Sequence, residues 1–140
     1  MQQQISLITL GIGDVARSRR FYGEGFGWQP AFSNGEITFY QMNGLVFGTW
    51  LAPLLAEDAG LPGPARPGGS TLSHNVPARE AVAPLIEALL AAGGTLLKPP
   101  AAPPHGGFAG HVADPDGHVW EIAWNPAWQI DAAGRVTFAV

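Results

Sequence analysis

The chain uses one pattern of segments twice, and this internal repeat limits its possible folds more than any other feature. In each half, a β-rich segment is followed by a helical segment and then by β-rich segments separated by glycine-containing turns. The matched positions are Leu7 and Thr71, Gly27 and Gly94, and Gly44 and Gly117, at offsets of 64, 67 and 73 residues. Because the order of segments is kept, the sequence predicts two copies of one βαβββ unit.

The boundaries of the repeat follow from proline- and glycine-rich segments. We expect a single domain over residues 1–140, with a first module at 4–52, a linker at 53–67, a second module at 68–126 and a tail at 127–140. Strands are predicted at 5–12, 36–41, 45–51, 71–76, 95–100, 110–114 and 117–124, and helices at 15–23 and 79–92. A short helix at 54–60 and one more strand in the tail are also expected. Asp14 is the predicted N-cap of the first helix.

Composition excludes several classes of protein. A hydrophobic fraction of 46% with 13% charged residues indicates a folded domain, and the net charge of −4 without a basic cluster argues against nucleic-acid binding. The chain contains no cysteine, which excludes disulfides and thiolate sites. Its first ten residues, MQQQISLITL, do not resemble a secretion signal, and no apolar run is long enough to span a bilayer. We therefore expect a cytoplasmic protein that does not bind membranes.

Two motifs carry a resemblance to a known family. DVARSRRFYGEGFGW (residues 14–28) and DPDGHVWEIAWNP (residues 114–126) resemble the vicinal oxygen chelate superfamily, which includes glyoxalase I, bleomycin-resistance proteins and extradiol dioxygenases. The resemblance extends from Ile5 to about Pro126. It implies an α+β fold in which two βαβββ modules form a curved mixed-sheet cleft. It also implies a homodimer, since small members commonly pair.

The resemblance further locates the positions that hold a metal in the metal-dependent members. These positions correspond here to Leu7, Gly48, Thr71 and Glu121. Only Glu121 offers a strong donor, whereas a divalent site needs three or four. We therefore expect no metal and no other cofactor. Without a cation, the main argument for glyoxalase or dioxygenase chemistry is lost.

Strand alternation predicts which side chains accompany Glu121 in the cleft. Val119 and Ala123 share its face, whereas Trp120, Ile122 and Trp124 point the other way. Val46 and Trp50 share the face of Gly48, and Ile5 and Thr9 share the face of Leu7. Either Phe39 or Tyr40 joins them, depending on a register that the sequence leaves open. The candidate ligand-binding residues are Glu121, Trp50, Gly48, Thr71, Leu7, Tyr40 and His105, the last on a loop at the cleft mouth.

The remaining histidines have structural interpretations. Alternation from Thr71 places His74 on the opposite face, where a hydrogen-bonding role is expected. His111 and His118 flank one turn and could lie across a hairpin from each other, and we expect surface or half-buried positions. Glu121 itself has three interpretations: a catalytic base, a contact to a ligand, or a residue hydrogen-bonded to Thr71 or the backbone.

Three functions fit this sequence. The first is a metal-free protein that binds a small apolar or cationic organic molecule in its cleft, as bleomycin-resistance proteins do. The second is a lyase or oxygenase of the glyoxalase/dioxygenase type with an unusual metal site. The third is an accessory module without chemistry. The missing ligand side chains favour the first, and the sequence leaves open whether the protein is an enzyme and which ligand it binds.

Overall fold

The computed structural model describes residues 1–104 and 106–138. The strands are β1 (Leu7–Ile12), β2 (Phe32–Ser33), β3 (Ile37–Gln41), β4 (Val46–Leu51), β5 (Thr71–Asn75), β6 (Thr95–Ala101), β7 (Phe108–Ala113), β8 (Val119–Trp124), β9 (Trp128–Ile130) and β10 (Val136–Phe138). The helices are α1 (Val15–Arg20), α2 (Ala52–Asp58) and α3 (Val82–Ala91). A π-helical turn (Phe21–Gly25) continues α1, and a 3-10 turn (Arg79–Ala81) precedes α3.

The strands form two equivalent four-stranded sheets. The order is β1-β4-β3-β2 in the first sheet and β5-β8-β7-β6 in the second, and in each sheet the first pair is parallel and the others antiparallel. The hairpin glycines Gly44 and Gly117 have nearly equal positive φ angles of 92° and 95°, a conformation that favours glycine. The predicted α+β fold of two βαβββ modules is therefore confirmed.

The first helix begins as the sequence predicts. Asp14 has an extended backbone, and its side chain accepts a hydrogen bond of 2.7 Å from the backbone N–H of Arg17. The helix then widens into the π-helical turn, which buries Phe21 and Tyr22 completely. These two aromatic side chains therefore anchor the first module's helix in the core.

Both modules contribute to one core. Its buried members are Phe21, Tyr22, Tyr40, Phe47, Val76, Val82, Ile86, Leu89, Val112, Trp120 and Ile122. The rings of Phe47 on β4 and Trp120 on β8 lie 5.7 Å apart between centroids. The sides of the two sheets that pack against α1 and α3 therefore meet in this core, and we call the opposite side of each sheet its outer face. Part of the first sheet's outer face, at Gly11, is covered by α2.

The remaining segments pack around the modules. The helix expected in the linker is present as α2, and the single strand expected in the tail is a hairpin of β9 and β10. The Asn43 side-chain amide donates a hydrogen bond to the Ala133 carbonyl, which ties this hairpin to the first module. In the described part of the chain, no helix is long and apolar enough to cross a membrane.

Candidate functional site

Glu121 lies on the outer face of the second sheet, where two neighbours orient its carboxylate. Ser73 Oγ donates a hydrogen bond of 3.0 Å to Oε1, and His111 Nε2 lies 3.5 Å from Oε2. The Glu121 side chain is still 34% exposed. A carboxylate oriented by two side chains and open to solvent can accept further hydrogen bonds or pair with a cation.

The two ring nitrogens of His111 have different surroundings. Its Nδ1 is buried and has no hydrogen-bond partner among the described residues. A buried N–H without an acceptor is less favourable than a bare lone pair, so the proton belongs on Nε2, which faces Glu121. His111 Nε2 is therefore the ring nitrogen that faces the carboxylate, at a distance of 3.5 Å.

Sequence reasoning missed both partners of Glu121. His111 could have been found by counting outward from the Asp114–Gly117 turn, because the hairpin pairs Ala113 with Val119 and His111 with Glu121. Ser73 gave no local signal, because its pairing with Glu121 is a parallel one across α3. The hydroxyl expected to contact Glu121 was that of Thr71. The structure gives this contact to Ser73, two residues further along the same face.

A line of four polar side chains crosses the second sheet. The pairing register aligns Lys98 with His111, His111 with Glu121, and Glu121 with Ser73. Cross-strand partners project from the same face. We call these four residues the polar row.

The equivalent line in the first sheet has a different chemistry. Its members, in corresponding order, are Phe32, Phe39, Gly48 and Thr9. The rings of Phe32 and Phe39 are 6.1 Å apart, and a Cβ added to Gly48 would lie 3.1 Å from the Phe39 ring. We expected Gly48 to leave space for a ligand. Instead, the Phe39 ring occupies that space.

The other candidate residues fall on both faces. Leu7 and Thr71 are exposed, and the alternation along β1 and β5 places them on the outer faces with Thr9 and Ser73. Trp50 shares the outer face with Gly48 and is partly exposed. Tyr40 is only 1% exposed and belongs to the core, so Phe39, not Tyr40, faces outward. His105 lies outside the described residues.

The remaining histidines do not join Glu121. His74 points into the interior, as alternation predicts, with its ring 5.3 Å from that of Phe26. Burial there lowers the pKa of His74. His118 Nε2 lies 2.7 Å from the Gly11 carbonyl oxygen and so links the second module to β1.

The donor set at Glu121 does not fit a divalent metal. No three histidine, cysteine, aspartate or glutamate side chains come together in residues 1–104 and 106–138 to hold an ion. Leu7 and Gly48 have no side-chain donor, which leaves one carboxylate, one imidazole and neutral hydroxyls. Protein sites for divalent transition metals use three or four strong ligands.

Two cavities lie away from Glu121. One, of about 370 Å³, is bordered by Val76, Trp124 and Trp128 where β9 passes the end of the second sheet. The other, of about 200 Å³, lies beneath the linker between Leu10, Leu55 and His118. Glu121 lines neither cavity, so a ligand there would rest on an open sheet face unless a second surface covers it.

A comparison with family models identifies this architecture. The model of the Glyoxalase/Bleomycin resistance protein/Dioxygenase superfamily matches residues 4–122. The chain belongs to this superfamily. The family expected from the two sequence motifs is therefore confirmed. None of the curated proteins with which the sequence was compared matches it.

Solved structures of the superfamily share the fold. The chain is 62% identical to a glyoxalase-related enzyme from Fulvimarina pelagi, with a TM-score of 0.97 over 99% of this chain and 100% of that one. A glyoxalase/bleomycin resistance protein from Albidiferax ferrireducens T118 is 27% identical, with a TM-score of 0.70 over 87% and 98% of the two chains. A glyoxalase/bleomycin resistance protein/dioxygenase family enzyme from Burkholderia phytofirmans PsJN is 23% identical, with a TM-score of 0.73 over 85% and 96%.

Proposed function

We propose that this superfamily member is a metal-independent protein that binds a small apolar or cationic organic molecule at the outer faces carrying Glu121 and Trp50. The observation that carries the proposal is the contrast between two equivalent positions. Glu121 is a partly exposed carboxylate oriented by Ser73 and His111, whereas Gly48 lies beneath the Phe39 ring. One face thus offers charge, and the other offers aromatic surface.

Metal independence is supported by the lack of donor atoms at the positions that hold a metal in other members of the superfamily. Of the four positions that hold a metal in the metal-dependent members, Leu7 and Gly48 contribute no donor and Thr71 contributes only a hydroxyl. The neighbouring residues of the first sheet's outer face, chiefly Phe32, Phe39 and Trp50, add none. The chemistry left to Glu121 is hydrogen bonding, ion pairing or proton transfer.

A homodimer would complete the site. The outer face of the first sheet exposes Leu7 (46%) and Phe32 (51%), and Phe39 and Trp50 are partly exposed beside them. Exposed apolar side chains concentrated on one sheet face favour an interaction surface, and two-fold pairing is the commonest closed arrangement. If the first sheet of one copy covers the second sheet of the other, Glu121 and an aromatic wall enclose the ligand together.

The test is a ligand screen followed by titration of variants. Thermal shifts are measured with divalent ions and a panel of small organic molecules, and each hit is titrated by calorimetry. Glu121→Gln should weaken a cationic ligand by about 1.5–3 kcal/mol through loss of a charge-assisted hydrogen bond. Trp50→Ala should weaken a neutral aromatic ligand more strongly. Glu87→Gln, an exposed carboxylate on α3, is the matched control. Unchanged affinity in both site variants would contradict the proposed location.

An enzyme is the alternative function, and two observations favour it. The Fulvimarina pelagi relative, 62% identical, is described as a glyoxalase-related enzyme. The carboxylate of Glu121 also lies beside the imidazole of His111, and both groups are suited to general acid–base chemistry. A lyase or oxygenase of this type would lose turnover in the Glu121→Gln variant while keeping substrate affinity. A pure binding protein would lose affinity instead.

A further inference from the structure

Two opposite charges stand on the same sheet face without pairing. Lys98 and Glu121 belong to the polar row and are two strands apart, with His111 between them. Strands lie about 4.8 Å apart, so the two backbone positions are separated by roughly 10 Å. Lys98 is exposed and forms no ion pair with any other residue that the structure describes. It is also the only lysine in the sequence.

An irregularity in β6 determines where Lys98 projects. Leu96 pairs with Val112, a core residue, whereas Lys98 pairs with the neighbouring His111 on the outer face. β6 therefore has one more residue than β7 between these two pairs, and that residue is Leu97. Such a bulge commonly redirects a side chain. Without it, the alternation along β6 would give Lys98 the same face as Leu96.

Small side chains border the polar row. Along β7 and β8, the outer-face positions on either side of His111 and Glu121 are Ala109, Ala113, Val119 and Ala123. Ala113 and Ala123 are buried, whereas Ala109 and Val119 are partly exposed. The apolar surface next to the charged groups therefore lies at Ala109 and Val119, where the body of a small molecule can lie. Ligand sites combine such apolar surface with a few polar groups that fix orientation.

We infer that the polar row binds a zwitterion with an apolar body, whose ammonium group pairs with Glu121 and Ser73 and whose carboxylate pairs with Lys98. This inference rests on the proposed function, because it names the class of ligand for the same site. It requires two charges on one molecule, which a simple apolar or cationic ligand would lack. Ser73 donates a hydrogen bond to Glu121 Oε1, and His111 Nε2 lies 3.5 Å from Oε2, between the carboxylate and Lys98.

The test uses three molecules that differ by one charge each. The probe 3-amino-3-phenylpropanoate carries both charges, 1-phenylethylamine carries the cation alone, and 3-phenylpropanoate carries the anion alone. Calorimetry should show that the zwitterion binds up to about fivefold more tightly than either relative, since a partly exposed ion pair contributes at most about 1 kcal/mol. In Lys98→Met, the zwitterion should bind no more tightly than 1-phenylethylamine. In Glu121→Gln, it should bind no more tightly than 3-phenylpropanoate. Glu87→Gln should change neither.

The single lysine allows a second measurement that does not depend on affinities. Lys98 and the N-terminal amine are the only primary amines of the sequence, so an amine-selective acetylating reagent modifies these two groups, and mass spectrometry distinguishes them. The zwitterion should slow acetylation of Lys98 relative to the N-terminal amine, whereas 1-phenylethylamine should not.

The outcomes separate this inference from the proposed function. If the amine binds, Glu121→Gln weakens it, and the zwitterion has no advantage, the inference is wrong and the proposed function stands. If Lys98→Met leaves the zwitterion's affinity unchanged, the inference is likewise wrong. If none of the three molecules binds at millimolar concentration, the inference fails, and the proposed function is judged by the wider panel.

Discussion

Tyr22 and Asp114 join the two modules through a hydrogen bond of 2.6 Å from the phenol to carboxylate Oδ2. The other oxygen of Asp114 accepts the backbone N–H groups of Asp116 and His118 and so closes the β7–β8 turn. Burial, together with the neighbouring Asp114 carboxylate, raises the pKa of Tyr22 well above its usual value, so the phenol remains a donor. One buried carboxylate therefore fixes both the hairpin that carries Glu121 and the contact between the modules.

Replacing Tyr22 with phenylalanine should destabilise the protein by about 1–3 kcal/mol. The variant leaves Asp114 Oδ2 without its donor and Trp120 Nε1 without the acceptor that it uses at 3.1 Å. Urea unfolding measures the change. Tyr40→Phe is the matched control, because the Tyr40 hydroxyl is buried and has no partner among the described residues. Equal effects in the two variants would show that the Tyr22–Asp114 bond adds nothing to stability.

The buried His74 should make the protein less stable in acid. Because burial lowers its pKa in the folded state, the unfolded chain binds a proton more readily than the folded one below the unfolded pKa of about 6.5. Stability is therefore full above that pH and falls as the pH drops towards the lower, folded pKa. Free energies of unfolding at pH 8 and pH 5 should differ less in His74→Phe than in the unaltered protein. Comparing the two pH values within each protein removes the effect of altered packing. An identical difference in both proteins would contradict the role of His74.

The purified protein should contain no stoichiometric divalent metal, even when cells are grown with added zinc, iron, nickel or manganese. The physical reason is the single strong carboxylate donor at Glu121, with Leu7 and Gly48 unable to coordinate. Elemental analysis measures the content, and Glu121→Gln is the control for adventitious binding. About one equivalent of metal that disappears in this variant would overturn the prediction.

The protein should be a homodimer whose interface includes the outer face of the first sheet. Light scattering at micromolar concentration should give twice the chain mass, and Phe32→Glu should shift the equilibrium towards the monomer by placing a charge in an apolar contact. Phe138→Glu is the matched control, since Phe138 is 62% exposed and belongs to the separate two-stranded sheet of the C-terminal hairpin. A dimer that survives Phe32→Glu but not Phe138→Glu would place the interface on the hairpin.

Local sequence patterns predicted much of the fold and part of the site. Asp14 caps α1, and the turn at Asp114 to Gly117 joins two strands, because capping and turn formation depend on side chains within a few residues. The period of two along β8 correctly separated Glu121 from Trp120 and Ile122. The pairing of His111 with Glu121 follows from the same hairpin, because residues equally far from its turn lie opposite each other.

Tertiary structure decided the rest, because each remaining feature depends on pairing between distant segments. The choice of Phe39 over Tyr40 depends on the register of β3 against β4, and the position of Lys98 depends on one extra residue in β6. Ser73 reaches Glu121 because β5 and β8 pair in parallel, and the chain between them runs through α3, β6 and β7, so no local turn sets their register. The sequence thus determined the two modules and the direction in which Glu121 points. Strand pairing within the second sheet determined which side chains share its face, since contacts between strands form only when the whole sheet is assembled.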